Sequence, residues 1–320
     1  MMRYFVVAYI YCILNRGNIP VSMNIRIAFS WVMMALVSCA AGCGEPVAVE
    51  EVNGPTRMIF NLLPDSAYRY TVKNNIVLTQ EIDKEKAITI HQNMTLTNAY
   101  RVVRVAPGSS TVSVTYERIT MSSGNQLFSL DYDSENDNGT DPMYEDLRNL
   151  IDKNFKMIIS PKGEILASEP VMKTRSEGAG AYHFDDSSIR KIMLHVLQVY
   201  PDREVEAGSI WERSYATSVG FANVRVRNKY QLVSIEKGVA HIELQGRISS
   251  DNASQTQDSD MELKGLQSGE MDIDIKSGQV LSGKISQKLS GRMNITGEST
   301  PVDIESDIYI MGTVIRNYLK

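Results

Sequence analysis

The sequence predicts an α+β protein, mostly β, with long curved antiparallel strands and two amphipathic helices, built as two similar repeats. Three observations predict it. Apolar residues alternate with polar ones over long stretches, two segments carry apolar residues at helical spacing, and one hairpin-like block recurs at a constant offset.

The alternation is clearest where Ile88, Ile90, Met94, Leu96, Tyr100 and Val102 share one parity while Thr89, His91, Asn93, Thr95 and Thr97 hold the other. At about 3.3 Å per residue this run would extend roughly 50 Å unbroken, a length at which strands curve. Leu281, Gly283, Ile285, Gln287, Leu289, Gly291, Met293 and Ile295 repeat the habit, and Ile308, Ile310, Gly312 and Val314 give a last strand. The first helix is expected over 142–153, with Asp141 as N-cap, Pro142 at its first position and Met143, Leu147, Leu150 and Ile151 on one face. The second is expected over 187–200, where Ile189, Ile192, Met193, Val196, Leu197 and Tyr200 form a stripe that Pro201 ends.

The recurring block sets Ala99–Val114 against Lys229–Leu244 without a gap, at an offset of 130. Tyr100, Val102, Val112 and Val114 face Tyr230, Leu232, Ile242 and Leu244, and Gly108 faces Gly238. PKGEIL from Pro161 echoes KSGQVL from Lys276, and GSIW from Gly208 echoes DSAY from Asp65. Hairpins turning at Gly108, Gly163, Gly238 and Gly278 follow. The organisation read from this is a signal region 1–38, a tether 39–57, a first repeat 58–172, a glycine-punctuated linker 173–184 and a second repeat 185–320.

All three cysteines, Cys12, Cys39 and Cys43, precede Gly44, so the body can form neither a disulfide nor a thiolate metal site. Met23, Arg26 and the apolar run Ile27–Val37 have a signal peptide's layout and fall short of the roughly 20 residues that span a bilayer. Leu36, Val37 and Ser38 before Cys39 resemble the lipobox of bacterial lipoproteins, which implies lipid attachment at Cys39, with Cys43 as the alternative. A second apolar run, Tyr4–Leu14, lies in residues 1–22, which a true start at Met23 would place upstream of the protein. The expected location is the bacterial cell envelope, lipid-anchored, at the outer membrane or facing the periplasm.

Three arginines and no acid fall in the first 43 residues, leaving 30 basic against 38 acidic side chains in the body. That balance repels phosphate backbones, and no basic stripe interleaves with aromatics, so nucleic acid is not an expected partner. The acidic run Asp131–Asp141 places Asp131, Asp133, Glu135 and Asp137 at alternate positions, but Asn136 and Pro142 stand where a calcium loop needs glycine and glutamate. A solvated loop capping the next helix is expected. His183 with Asp185 and Asp186 is the one local cluster able to bind metal or move a proton, and helix capping accounts for its aspartates equally. No nucleophile elbow, dinucleotide fingerprint or Walker loop occurs. No catalytic residue, metal or cofactor is assigned, and the protein is not expected to be an enzyme.

The segments Ser66–Val72, Ile88–Leu96, LDYDSEN, FKMIISPKGEIL and Tyr200–Trp211 resemble a family of uncharacterised bacterial envelope lipoproteins known only as a domain of unknown function. The resemblance supplies no activity and no functional residue. From the architecture, the expected role is to hold a lipid or other amphiphile against a concave apolar face formed by Ile88, Ile90, Met94, Leu96, Leu281, Ile285 and Leu289. A structural lipoprotein that binds an envelope protein partner is the alternative, and a hydrolase is the third reading.

Overall fold

A single antiparallel sheet of twelve strands makes up the computed structural model, which describes residues 54–83, 86–169, 197–219, 222–250, 261–295 and 298–315. The strands are β1 (Ala67–Asp83), β2 (Lys86–Ala106), β3 (Ser109–Gly124), β4 (Ser129–Asp133), β5 (Asn154–Ile159) and β6 (Ile165–Ser168). After these come β7 (Ile210–Val219), β8 (Ala222–Glu236), β9 (Val239–Ser250), β10 (Met261–Asp274), β11 (Val280–Ile295) and β12 (Glu298–Ile315). In space the order is β6, β5, β3, β2, β1, β12, β11, β10, β9, β8, β7, with β4 also paired to β3.

The predicted α+β class is overturned. Among the described residues, helical structure is limited to a 3-10 turn, Pro142–Tyr144, running into a four-residue helix, α1 (Glu145–Arg148), and to the single residue Leu197. Asp141 caps it as expected, its Oδ1 accepting from the Met143 amide at 2.9 Å. The helix over 142–153 fails because Asp152 takes a left-handed φ of 59° and β5 begins at Asn154. Leu147 and Leu150 still reach the core from this short turn, while Met143 stays exposed. The predicted helix over 187–200 lies outside the described residues as far as residue 196; Leu197, Val199 and Tyr200 are fully buried.

What recurs is a set of strands. In β2 and β3, Val102 stands opposite Val112 and Arg104 opposite Thr111, so Val103 is an extra, bulged residue. In β8 and β9, Leu232 stands opposite Ile242 and Ser234 opposite His241, which bulges Val233 in the same place. Both bulged valines are about half exposed, at 49% and 47%. The next hairpin matches as well: Leu166 is bulged between β5 and β6, and Leu281 between β10 and β11. Strands β1, β2, β3, β5 and β6 therefore correspond in register to β7, β8, β9, β10 and β11.

The sheet is strongly curled. The Phe60 amide donates to Pro161 O at 2.7 Å and the next amide, of Asn61, to Ser277 O at 2.9 Å. Two adjacent residues thus touch the β5–β6 and β10–β11 turns, although β3, β2, β1 and β12 separate those hairpins in the sheet. Segments 54–66 and 197–209 cross this end and pair where Thr56 meets Val205. A β-carbon on Gly163 would stand 1.6 Å from Leu197 O, and one on Gly278 2.0 Å from Ile59 O, so only glycine lets the segments lie this close. Asp202 links Lys162, beside β6, to Arg213 on β7, at 2.6 and 3.0 Å. This ties together the two edges of the sheet.

Candidate functional site

The inner face of the curled sheet carries two apolar clusters. The first, at the closed end, includes Tyr70, Leu96, Val112, Met157, Leu232, Ile242, Met271, Ile285 and Ile310, with Phe60 and Tyr200 from the crossing segments. The second includes Val224, Val226, Ile248, Leu263, Leu289, Val302 and Ile304. Side chains of this size contribute about 1.5–3 kcal/mol each when fully buried.

A polar belt runs between the clusters, with one residue from each of six strands. Asn74 on β1, Ser306 on β12, Gln287 on β11, Gln267 on β10, Gly246 on β9 and Asn228 on β8 each lie between a first-cluster and a second-cluster residue of the same strand. Gln287 Nε2 donates to Gln267 Oε1 at 2.8 Å, and Gln267 Nε2 donates to Asn228 Oδ1 at 2.6 Å. Asn228 Nδ2 then donates to the Tyr230 hydroxyl at 2.8 Å, which donates to Gln198 O at 3.2 Å. Ser306 closes the other end on Asn74 Oδ1 at 2.8 Å. Gly246 leaves the gap through which Asn228 and Gln267 meet, since a β-carbon there would stand 2.1 Å from Asn228 Oδ1. Burial pushes the phenols of Tyr70, Tyr100, Tyr200 and Tyr215 well up, and that of Tyr230 to about 12, so all stay neutral at ordinary pH.

The belt divides the predicted apolar face. Leu96 and Ile285 belong to the first cluster with Met94 packed on it, and Leu289 belongs to the second. Ile88 and Ile90 lie half-buried toward the β1–β2 hairpin, beside Leu78 and Gln80. Leu281 does not join the row, because the bulge makes it the unpaired residue. The rim of the second cluster is only partly covered at Ile76, Leu78, Val219 and Met293. Sequence reasoning missed the belt, although its signal was present: Asn228, Gln267 and Gln287 are amides on an otherwise apolar parity.

On the outer face, β8 to β12 form a groove of about 570 Å³ lined by Val233, His241, Glu243, Glu270, Asp272, Ser282, Lys284, Tyr309 and Met311, among others. His241 Nδ1 lies 2.6 Å from Asp272 Oδ1, and Ser282 Oγ donates to Asp272 Oδ2 at 2.7 Å. The serine meets the carboxylate and not the imidazole, so His241 is not placed to take its proton.

The acidic run borders a second groove, of about 700 Å³. Its carboxylates are engaged within the loop: Asp133 with Arg118 at 2.9 Å and with the Glu135 amide, Asp137 with Arg148, and Asp141 as the cap. Desolvation pulls the Asp133 carboxyl up, but the hydrogen bonds from Arg118, the Glu135 amide and Asn136 outweigh it and hold it below the usual range. No group of three or more His, Cys, Asp or Glu among the described residues is arranged to hold a metal, and no helix among them is long and apolar enough to cross a membrane. Cys39, Cys43 and the cluster of His183, Asp185 and Asp186 lie outside the described residues.

No curated protein matches the chain. Among solved structures, lipovitellin, described by its lipid–protein interactions, shares 11% identity over 80% of this chain with a TM-score of 0.48, and this chain spans 26% of it. The translocator domain of the autotransporter NalP from Neisseria meningitidis shares 8% identity over 79% of this chain and 90% of its own, at a TM-score of 0.20. OccAB4 of Acinetobacter baumannii shares 7% identity, covering 83% of this chain and 100% of its own, also at 0.20. Likenesses this distant carry no functional information. The pattern of the family of unknown function DUF6263 matches residues 107–171 and 181–280, just over half of the chain. The match takes in the duplicated turns at Gly108, Gly163, Gly238 and Gly278, and the chain belongs to this family.

Proposed function

We propose that this member of the family is a lipid-anchored protein of the bacterial cell envelope, attached to the membrane through Cys39. In this reading it receives the apolar part of a lipid or other amphiphile in the second compartment of its curled sheet, with no catalytic step. The observation that carries the reading is the apolar rim beyond the polar belt. Ile76, Leu78, Ile88, Ile90, Val219 and Met293 are half-buried on the concave side, next to a buried apolar cluster. Apolar side chains gathered in a concave site and left partly uncovered gain about 25 cal/mol per Å² when a ligand removes them from water. The belt sets a polar floor under that compartment, which limits how deep an acyl chain can reach.

The test is native mass spectrometry of the purified protein with added palmitate or phosphatidylethanolamine. A one-to-one adduct is expected, and it should be lost in Leu78→Asp and in Ile90→Asp, substitutions at half-buried positions that leave both cores intact. Absence of any adduct with the unaltered protein would end the cargo reading in favour of an envelope lipoprotein that binds a protein partner. Released fatty acid in place of an adduct would point to a hydrolase. Intact-mass analysis of the membrane-extracted protein should show an acylated chain beginning at Cys39; one beginning at Cys43 would move the anchor.

A further inference from the structure

The internal duplication supplies a control for the outer groove. Positions that build the sheet match between the copies: Tyr100 with Tyr230, Val112 with Ile242, Met157 with Met271 and Ile159 with Ile273. The outward positions lining the groove do not. His241, Glu243, Glu270, Asp272, Ser282 and Lys284 take the places that Thr111, Ser113, Lys156, Ile158, Ala167 and Glu169 hold in the first copy. A scaffold present twice needs none of these six groups, so their concentration in one copy calls for another reason.

Their charges point to what that reason is. In the first copy Lys156 pairs with Glu169 across the strands at 3.5 Å. In the second, Lys284 sits over the Tyr309 ring, 5.7 Å from its centre, where a cation is held by the aromatic face. Glu243 and Glu270 stand directly opposite each other in register, and neither has a hydrogen bond or ion pair among the described residues. Like charges directly opposite one another on a sheet destabilise it. Three carboxylates, those of Glu243, Glu270 and Asp272, share the groove with one lysine, Lys284, which stands opposite Glu270 on β11. Its apolar surface lies at the ends, at Val233 on one side and Met311 on the other, 47% and 59% exposed. At about 4.8 Å between strands, Glu243 on β9 and Tyr309, its register partner on β12, are roughly 14 Å apart, and Met311 lies two residues further along β12.

We propose that this groove binds a small organic cation, an ammonium or guanidinium group on an apolar body. The charge sits between Glu243 and Glu270, and the body lies across Tyr309 and Met311. The groove is on the face opposite the proposed cargo compartment, so the two readings stand or fall separately.

Methyl NMR of the full chain labelled at its methionines, titrated with octylammonium and in parallel with octanoate, is the test. Octylammonium is expected to shift the Met311 methyl, with octanoate at least about 10-fold weaker, as follows from losing two exposed charge contacts. Glu243→Gln with Glu270→Gln should weaken octylammonium about 10-fold. Both residues are exposed, so the variant retains its core, and added salt should weaken binding by the unaltered protein. Lys284→Gln, which removes the competing cation, should tighten it. Equal binding of the two probes, or an affinity indifferent to the glutamate substitutions, overturns the proposal. So do shifts confined to Met94 and Met293 on the inner face.

Discussion

Replacing Gln267 by leucine tests whether the buried belt acts as one hydrogen-bonded unit. Gln267 is 3% exposed, donates to Asn228 and accepts from Gln287, and the Tyr215 hydroxyl lies beside both its amide and that of Asn228. Leucine keeps most of the volume but leaves Asn228 Oδ1 and Gln287 Nε2 buried without partners. Each such group costs about 1–3 kcal/mol, or roughly 2–6 together, against a gain of about 2 from burying the leucine. The expected loss is about 2 kcal/mol, the middle of the resulting range. In urea unfolding, with a slope of about 3 kcal/mol per molar for a body of this size, the midpoint should fall by roughly 0.7 M at unchanged slope. Replacing Asn228, Gln267 and Gln287 all by leucine removes donors and acceptors together, and should cost less than the single change. A single substitution costing under about 0.5 kcal/mol, or a triple costing more than the single, would refute a belt of mutually satisfied amides.

Gly246→Ala should destabilise by a similar amount, about 2–3 kcal/mol by the same urea assay, although alanine is ordinarily better than glycine inside a strand by roughly 0.5–1. The new β-carbon would stand 2.1 Å from Asn228 Oδ1 and push that amide off Gln267. The buried tyrosines set the alkaline limit. Their phenols are raised above the unfolded value near 10, Tyr230 to about 12, so stability is complete below pH 10 and is lost as pH rises through the folded values. Absorbance at 295 nm should show these phenols ionising together with loss of the β-sheet circular dichroism; smooth ionisation of all tyrosines near pH 10 with the sheet intact would contradict their burial.

The sequence by itself determined the parity of the long strands, the four glycine turns, the Asp141 cap and the repeat at an offset of 130, because each is written in residues close along the chain. It misjudged the class. The stripe from Met143 to Ile151 has helical spacing, but the sheet beneath takes up Leu147 and Leu150 and the left-handed Asp152 turns the chain into β5, so tertiary packing overrides propensity. Gln287 lies on the apolar parity, yet a lone amide there says nothing until Gln267 and Asn228 are set beside it, from positions 20 and 59 residues earlier in the chain. Likewise the outer groove draws on five strands whose adjacency no local pattern encodes. Strand order, curl and the crossing of residues 54–66 over the far turns arise from pairing between distant segments. Those pairings are chosen by which apolar faces can be buried together, and that choice exists only once the chain is folded.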